Sequence, residues 1–442
     1  MKIDLQEVER KIRSGLVDQR IFHDEDIYRL EMKRIFGKGW LFLGHASMIP
    51  DVGDYITTYM GETPVIVSRG NDGSVKAFIN RCSHRGLHLC PYDRGTAKRF
   101  ICPYHGWTYS LDGELTVLPS AESFPSDFDS ANFGLISVPR VQDYKGFIFG
   151  NLDRGAPTFE EYLGDLKYYF DYFMVRDYVG GVVASPIKQR VISRHNWKIP
   201  ADNGSDNYHA TPTHGGAHGT IRRLEEFYVN DLHGTMLTIT NKAAADAGHT
   251  VATGRSFDNG FDYDLAMAEE LGEDCVAYIR RRYERARSHV TDLAPGQFCV
   301  MHVFPGMLQV DLASVCSVGT AMEVWHPKGP TKTETWIYTF VEKEAPPALQ
   351  EFAAKQSMRF HSVSGSIVPD DHENWERADL GYSIPATEEV PLRYVLGNDD
   401  AGLSEEWSAS GYDKVPGKMN FGITEAGSRS VYSRWIKMMQ EA

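Results

Sequence analysis

Two short stretches of this 442-residue chain each carry one cysteine and one histidine: Cys82-Ser83-His84-Arg85-Gly86 and Cys102-Pro103-Tyr104-His105-Gly106-Trp107. Their pattern is C-x-H-x17-C-x2-H. Thiolate and imidazole are metal ligands, and two such loops can close on one centre from opposite sides. Gly86, Gly106 and Pro103 let the backbone turn tightly enough for amide N–H groups to approach the sulfurs. Two readings of these residues stay open. One is a structural zinc site with two cysteines and two histidines. The other is a [2Fe–2S] cluster with both cysteines on one iron and both histidines on the other. Zinc fingers place a cysteine pair and then a histidine pair. Here each loop has one of each, as a two-iron cluster needs if each loop delivers one ligand to each iron. His88 and Cys90 lie inside the stretch but off the pattern, and read as a surface histidine and a small packed thiol.

A second constellation follows downstream, where Asp202, Asp206, His209 and His214 stand in D-x3-D-x2-H-x4-H. On a helix, Asp206 and His209 share a face and can hydrogen-bond. His209 and His214 would diverge by roughly 140° on a regular helix. Pro212 is expected to break the helix between them and swing His214 back. Two imidazoles and a carboxylate with open positions suit iron(II). Taken alone, H-x4-H reads better as a helix end with scattered polar groups.

Together the two stretches resemble the Rieske non-haem iron aromatic-ring-hydroxylating oxygenases, large (alpha) subunit. The resemblance rests on Asn80–Gly86, on Cys102–Tyr109 and on the Asp/His stretch. Gly39-Trp40, Pro64–Val67 and Asp112-Gly113 also fall at similar places, so it covers most of the chain. It implies a [2Fe–2S] cluster on Cys82, His84, Cys102 and His105, and a mononuclear iron(II) on His209, His214 and a late carboxylate. The acidic segment Ile367–Trp375 supplies that carboxylate; the family pattern selects Asp371, with Asp370 as rival. By the same resemblance, Asp206 bridges the iron-bound His209 to His105 of an adjacent protomer. The sequence departs from the family at Asp202, often Asn or Gln in relatives, and at Ala201, often Glu. An extra carboxylate there could hold a water, shift a neighbour's pKa or compete as a ligand; it is expected to sit behind the ligands.

The resemblance further implies a small β-sandwich Rieske domain inserted in a helix-grip catalytic domain, and a trimer of catalytic subunits with or without three small β subunits. No Gly-rich nucleotide loop after a strand is evident. By the resemblance, NADH acts through a separate reductase, possibly with a ferredoxin. Dioxygen would enter an aromatic ring, by cis-dihydroxylation. The alternatives are a Rieske monooxygenase or demethylase on an aromatic acid and, outside enzymes, a Rieske electron carrier. The carrier leaves His209 and His214 unexplained.

The elements that must position these residues read as α+β with a mainly antiparallel sheet, because strands and helices come in separate groups. Residues 1–36 read as helical, 37–155 as a loop-rich β domain bearing the cluster, and 156–442 as the catalytic domain. Within the β domain, strands are expected at Trp40–Leu43, Pro64–Arg69, Val75–Asn80 and Gly146–Gly150. A helix over Phe159–Phe173 follows. Later strands are expected at 188–193, 234–241, 298–304, 307–312, 320–326 and 334–342, and helices at 263–288, 347–360 and 426–440. Without the other motifs, the Asp370-Asp371 pair would read as a solvated acidic turn before a helix. Segment 242–262 reads as a mobile or substrate-proximal loop. Met301, Val303, Phe304, Met307, Leu308 and Met322 suggest an apolar pocket or ordinary core, and His302 reads as structural. No arginine in those strands stands ready to clamp a carboxylate, though Arg190, Arg194, Arg222 and Arg223 could reach in.

Composition sets outer limits. Lys plus Arg is 46 and Asp plus Glu is 60, a net charge of −14 that argues against nucleic acid. Six cysteines are too few for a disulfide framework. No apolar run is long enough to span a membrane, and the charged start lacks a secretory apolar region, so a cytoplasmic location is expected.

Overall fold

In the computed structural model, residues 3–206, 208–214, 235–239, 247–253, 260–289, 299–311, 317–397, 415–420 and 424–441 are described. They divide into two compact units, Phe36–Phe159 and the discontinuous Met1–Ile35 with Glu160–Ala442.

The smaller unit is built from short antiparallel strands joined by turns. Leu41–His45, Arg140–Tyr144 and Phe147–Asn151 form one sheet. Asp54–Met60, Thr63–Arg69, Val75–Ile79 and Arg94–Thr96 form a second, and Phe100–Ile101, Thr108–Tyr109 and Leu115–Val117 a third. The strands expected from composition are there within a residue or two. The turn at Asn71-Asp72-Gly73 shows why: Gly73 sits at φ +77 and the Asp72 carboxylate accepts from Ser74 N–H at 2.9 Å. Cys82, Cys102, Trp107 and Tyr109 are part of this unit's core, with Ile66 and Phe78.

The larger unit is organised on an eight-stranded antiparallel sheet. Its order is Val182–Ser193, Thr333–Glu342, Gly319–Pro327, Met307–Asp311, Cys299–Val303, Thr250–Thr253, Thr235–Thr238 and Lys418–Asn420. The central strand Gly319–Pro327 is buried along its whole length, as expected for a strand covered on both faces. One row of directly paired residues crosses the sheet through Thr250, His302, Leu308, Glu323, Ile337 and Gln189. Paired residues point to one face, and this face carries the segment with His209.

Three expectations are corrected. The helix at Phe159–Phe173 breaks into Phe159–Leu163 and Leu166–Tyr169, followed by a wide turn at Phe170–Val175. Gly164 between them sits at φ +54, which a helix cannot hold. The helix at 263–288 is two, Gly260–Leu271 and Glu273–His289, parted by Gly272 at φ +124. Segment 242–262 is not one loop, since Thr250–Thr253 is a sheet strand and Gly260 opens a helix; residues 242–246 and 254–259 lie outside the described residues. Asp370 and Asp371 occupy the first turn of the helix Val368–Tyr382, with Pro369 just inside its start. Proline is tolerated there because its missing N–H has no partner in a helix anyway, and carboxylates there suit the positive helix end.

Buried ion pairs fasten the larger unit. Glu342, fully buried, accepts from Arg176, Arg282 and Tyr278 at 3.0, 2.8 and 2.7 Å. Glu31 accepts from Lys198 at 2.6 Å, Trp435 at 2.7 Å and Trp197 at 2.8 Å. The second set ties the helix Lys198–Asn203 to the N-terminal helix Glu25–Arg34 and the C-terminal helix Ala426–Gln440. Among the described residues, no helix is long and apolar enough to cross a membrane.

Candidate metal centres

In the smaller unit the two Cys/His loops fold alike. Gly86 N–H donates to Cys82 C=O at 3.0 Å and Cys82 N–H to Leu87 C=O at 2.8 Å. In the other loop Gly106 N–H donates to Cys102 C=O at 2.9 Å and Cys102 N–H to Trp107 C=O at 2.8 Å. Gly86 at φ +77 and Gly106 at φ +75 make both turns possible. Both sulfurs are buried, and the Cys102 thiol is pushed up by burial and by Cys82, while the N–H groups of Tyr104 and His105 pull it down. The rings of His84 and His105 lie 4.5 Å apart, and Trp107 stacks flat on His84 at 4.8 Å. The Nδ1 atoms of both histidines are buried without a hydrogen-bond partner. An orphaned ring nitrogen is costly unless it binds something, so two imidazoles and two thiols here fit an iron–sulfur group.

A structural zinc site would use the same four side chains. His88 is exposed, and Cys90 is buried with its thiol pushed up to about 12 by burial. Asn80 receives the Leu89 and Cys90 N–H groups at 2.9 Å and stitches that loop.

In the larger unit the ligand segment differs from a continuous helix. Lys198–Asn203 is helical, the chain opens at Gly204–Asp206, and Ala210–Thr213 is one helical turn. Gly204 lies against Leu308: a Cβ there would meet Leu308 Cδ1 at 2.7 Å. Ser205 is held from the sheet, accepting from Thr250 Oγ1 at 3.0 Å and lying 3.3 Å from His302 Nδ1. Asp206 then caps the next turn, its Oδ1 accepting from His209 N–H at 2.9 Å and lying 3.2 Å from His209 Nδ1. The Asp206–His209 contact expected from helical spacing is thus present, made by a carboxylate ahead of a turn. Pro212 sits inside that turn and breaks nothing; His214 N–H still donates to Ala210 C=O at 3.1 Å.

Asp371 Oδ1 lies 3.7 Å from His209 Nε2 and 3.4 Å from His214 Nε2. The rival Asp370 is 43% exposed and reaches His214 Nδ1 at 3.9 Å. Asp371 is therefore the carboxylate brought to both histidines. The helix Val368–Tyr382 is laced to the ligand segment along its length. Ser193 Oγ meets His372 Nδ1 at 2.7 Å, Arg194 N–H donates to Glu376 at 2.8 Å, and Asn196 N–H to Asp379 at 3.0 Å. Burial pushes Asp371 up to about 6, offset by His209 and Asn203. At His209 burial would lower the pKa, but Asp206 and the nearby carboxylates outweigh it and raise it. With Asp206 on Nδ1, Nε2 faces Asp371, the division of labour that orients a metal-bound histidine.

Sequence reasoning missed Asn203, whose Nδ2 lies 3.2 Å from His209 Nε2 and 3.4 Å from Asp371 Oδ1. Asp202 points elsewhere: its Oδ2 accepts from Tyr394 OH at 2.5 Å, and burial pushes its pKa up to about 7. It is no part of the group of three, as expected of a residue behind the ligands. His302 is a buried neutral imidazole held by the sheet and Ser205, with burial pushing its pKa down to about 4. Of the apolar pocket candidates, Leu308 faces the ligand segment, while Met301 and Met322 share the opposite face. Arg190 pairs with Trp336 on that opposite face and stacks on its ring at 4.2 Å, so it does not reach in. Arg194 is exposed, and Arg222, Arg223 and Cys316 lie outside the described residues.

Known proteins bear on both centres. The family described as Rieske [2Fe-2S] domain matches residues 39–139, and the ring hydroxylating alpha subunit (catalytic domain) matches residues 182–441. The chain is 33% identical to the biphenyl dioxygenase subunit alpha of Paraburkholderia xenovorans (strain LB400), over 97% of this chain and 91% of the relative. It is 34% identical to the benzene 1,2-dioxygenase subunit alpha of Pseudomonas putida, over 97% and 92%. Among solved structures, a naphthalene 1,2-dioxygenase variant bound to phenanthrene superposes with a TM-score of 0.82 at 29% identity, covering 96% of this chain and 92% of that one.

Proposed function

The chain belongs to the Rieske ring-hydroxylating oxygenase alpha subunits, and on that premise we propose that it is the terminal oxygenase that cis-dihydroxylates an aromatic ring compound. It is an oxidoreductase with a [2Fe–2S] cluster and a mononuclear iron. One observation carries the residue assignment: His209, His214 and Asp371 close within 4.8 Å, leaving the rest of a coordination sphere open. In this reading residues 37–155 form the cluster domain, and 1–36 with 156–442 the catalytic domain. Cys82, His84, Cys102 and His105 hold the cluster. The electron source is NADH, acting through a separate reductase with or without a ferredoxin. The relatives' names, biphenyl and benzene dioxygenase, support an aromatic substrate.

When bound, the cluster passes single electrons and the iron activates dioxygen beside the ring. The chain's own residues prepare both places. Asp206 fixes the His209 ring so that Nε2 faces Asp371. Asn203 donates into the same space and holds Asp371 Oδ1. In the assembly Asp206 also faces His105 of a neighbouring copy, so a trimer, with or without small β subunits, is the working unit.

The test is metal analysis joined to product analysis. Purified protein should be red-brown with about three irons per chain. Given reductase and NADH, it should place both atoms of labelled dioxygen in an aromatic product. One labelled atom would make it a monooxygenase; colourless zinc protein would refute the reading.

A further inference from the structure

We propose that Glu323 is a substrate-anchoring carboxylate on the metal-bearing face of the sheet, and that the substrate ring carries an amino or hydroxyl group for it to bind. This deepens the oxygenase reading above and rests on it. Glu323 is directly paired with Leu308, which in turn is paired with His302. Leu308 lies against Gly204 and His302 against Ser205, the residues just before Asp206. The carboxylate therefore points to the face on which the ligand segment is laid. It is also close enough to the metal trio for the charge of Asp371 to be felt.

Its partners set it apart from the fold's structural carboxylates. Glu342 and Glu31 are each met by a cation and at least two further donors. Glu323, only 4% exposed, has among the described residues one neutral donor, Trp325 Nε1 at 3.2 Å. A buried carboxylate with so little compensation is costly, and burial pushes its pKa up to about 7. Beside a bare hydrocarbon only a proton taken up by the carboxylate relieves that cost. An N–H or O–H on the ring would relieve it. Sites with a buried polar group reject analogues that cannot pair with it far more strongly than apolar sites discriminate by size.

Aniline and toluene, near-isosteric rings with and without a donor, are the probes. The full enzyme with its reductase is assayed for kcat and KM on both, as wild type, Glu323→Gln and Glu323→Leu. Ring binding is read separately, without turnover, from the electron paramagnetic resonance of the nitric oxide adduct of the mononuclear iron. Wild type should favour aniline. In Glu323→Leu the aniline-to-toluene ratio of kcat/KM should fall by at least about tenfold, through KM, with iron content unchanged. Glu323→Gln keeps a carbonyl acceptor and should fall less; it also serves if the leucine variant does not fold. Ratios within about twofold of wild type in the folded variants, or no binding of aniline to wild type, overturn the proposal. Absence of oxygen uptake with every aromatic tried would instead overturn the oxygenase reading.

Discussion

Asp371 and Asp370 are neighbours in sequence and unequal in chemistry. Asp371 Oδ1 stands between two imidazole nitrogens, while Asp370 is 43% exposed and touches one. Asp371→Ala should therefore lose the mononuclear iron and keep the red cluster, and Asp370→Ala should keep both; iron analysis with visible spectra separates them. Asp206 makes a different demand. It orients His209 without being one of the three side chains that close within 4.8 Å. Asp206→Ala should keep the cluster colour and most of the iron, yet lose turnover by about a hundredfold, the upper end for a residue that orients a metal-binding histidine. Full activity would end its role as bridge. These residues were legible because metal ligands must be particular side chains at particular spacings. Asn203 and Glu323 were not, since an amide or carboxylate gains meaning only from what the fold sets against it.

The helix Lys198–Asn203 positions the site from both ends. At its start, Lys198 pairs with fully buried Glu31 at 2.6 Å, with Trp197 and Trp435 closing the cage. At its end, Gly204 lets the chain pass tightly over Leu308. Removing one partner of a buried pair strands the other charge and costs roughly 3–5 kcal/mol. Lys198→Met should lower the denaturant midpoint accordingly and loosen mononuclear iron, leaving the cluster spectrum intact. A midpoint equal to wild type would show that Glu31 is satisfied by the two indoles alone. Strands were read well at this scale, because their alternation and turn residues are local. Helix limits were read less well. Gly164 and Gly272 look tolerable inside an apolar pattern, and only their positive φ shows that each ends a helix. The helix Val368–Tyr382 begins before the acidic pair, not after it, and few of its positions are buried to mark its start: Val368, Trp375 and Asp379.

Across the larger unit, the balance of buried titratable groups sets how the molecule meets acid. Burial pushes His195, His302 and His361 down to about 4, His249 to about 3, and His326 well below its usual value. In the unfolded chain each titrates near 6.5. Between those values the unfolded chain takes up protons that the folded chain refuses, so these groups withdraw stability as pH falls from 6.5 toward 4. Asp202 and Glu323, pushed up to about 7, and Asp379, to about 6, act in the opposite sense. Their folded pKa values exceed the unfolded ones near 4, so over the same range they favour the folded chain as protons bind. The histidines are more numerous and shifted by comparable amounts, so the net slope follows them. The thermal midpoint of the iron-loaded protein should be nearly flat from pH 8 to 7 and fall steadily between about 6.5 and 4.5. His361→Gln should shallow that fall, and Glu323→Gln, which removes an opposing group, should steepen it. A midpoint that rises on acidification would mean that the buried carboxylates dominate, and with them the polar face beside the metal.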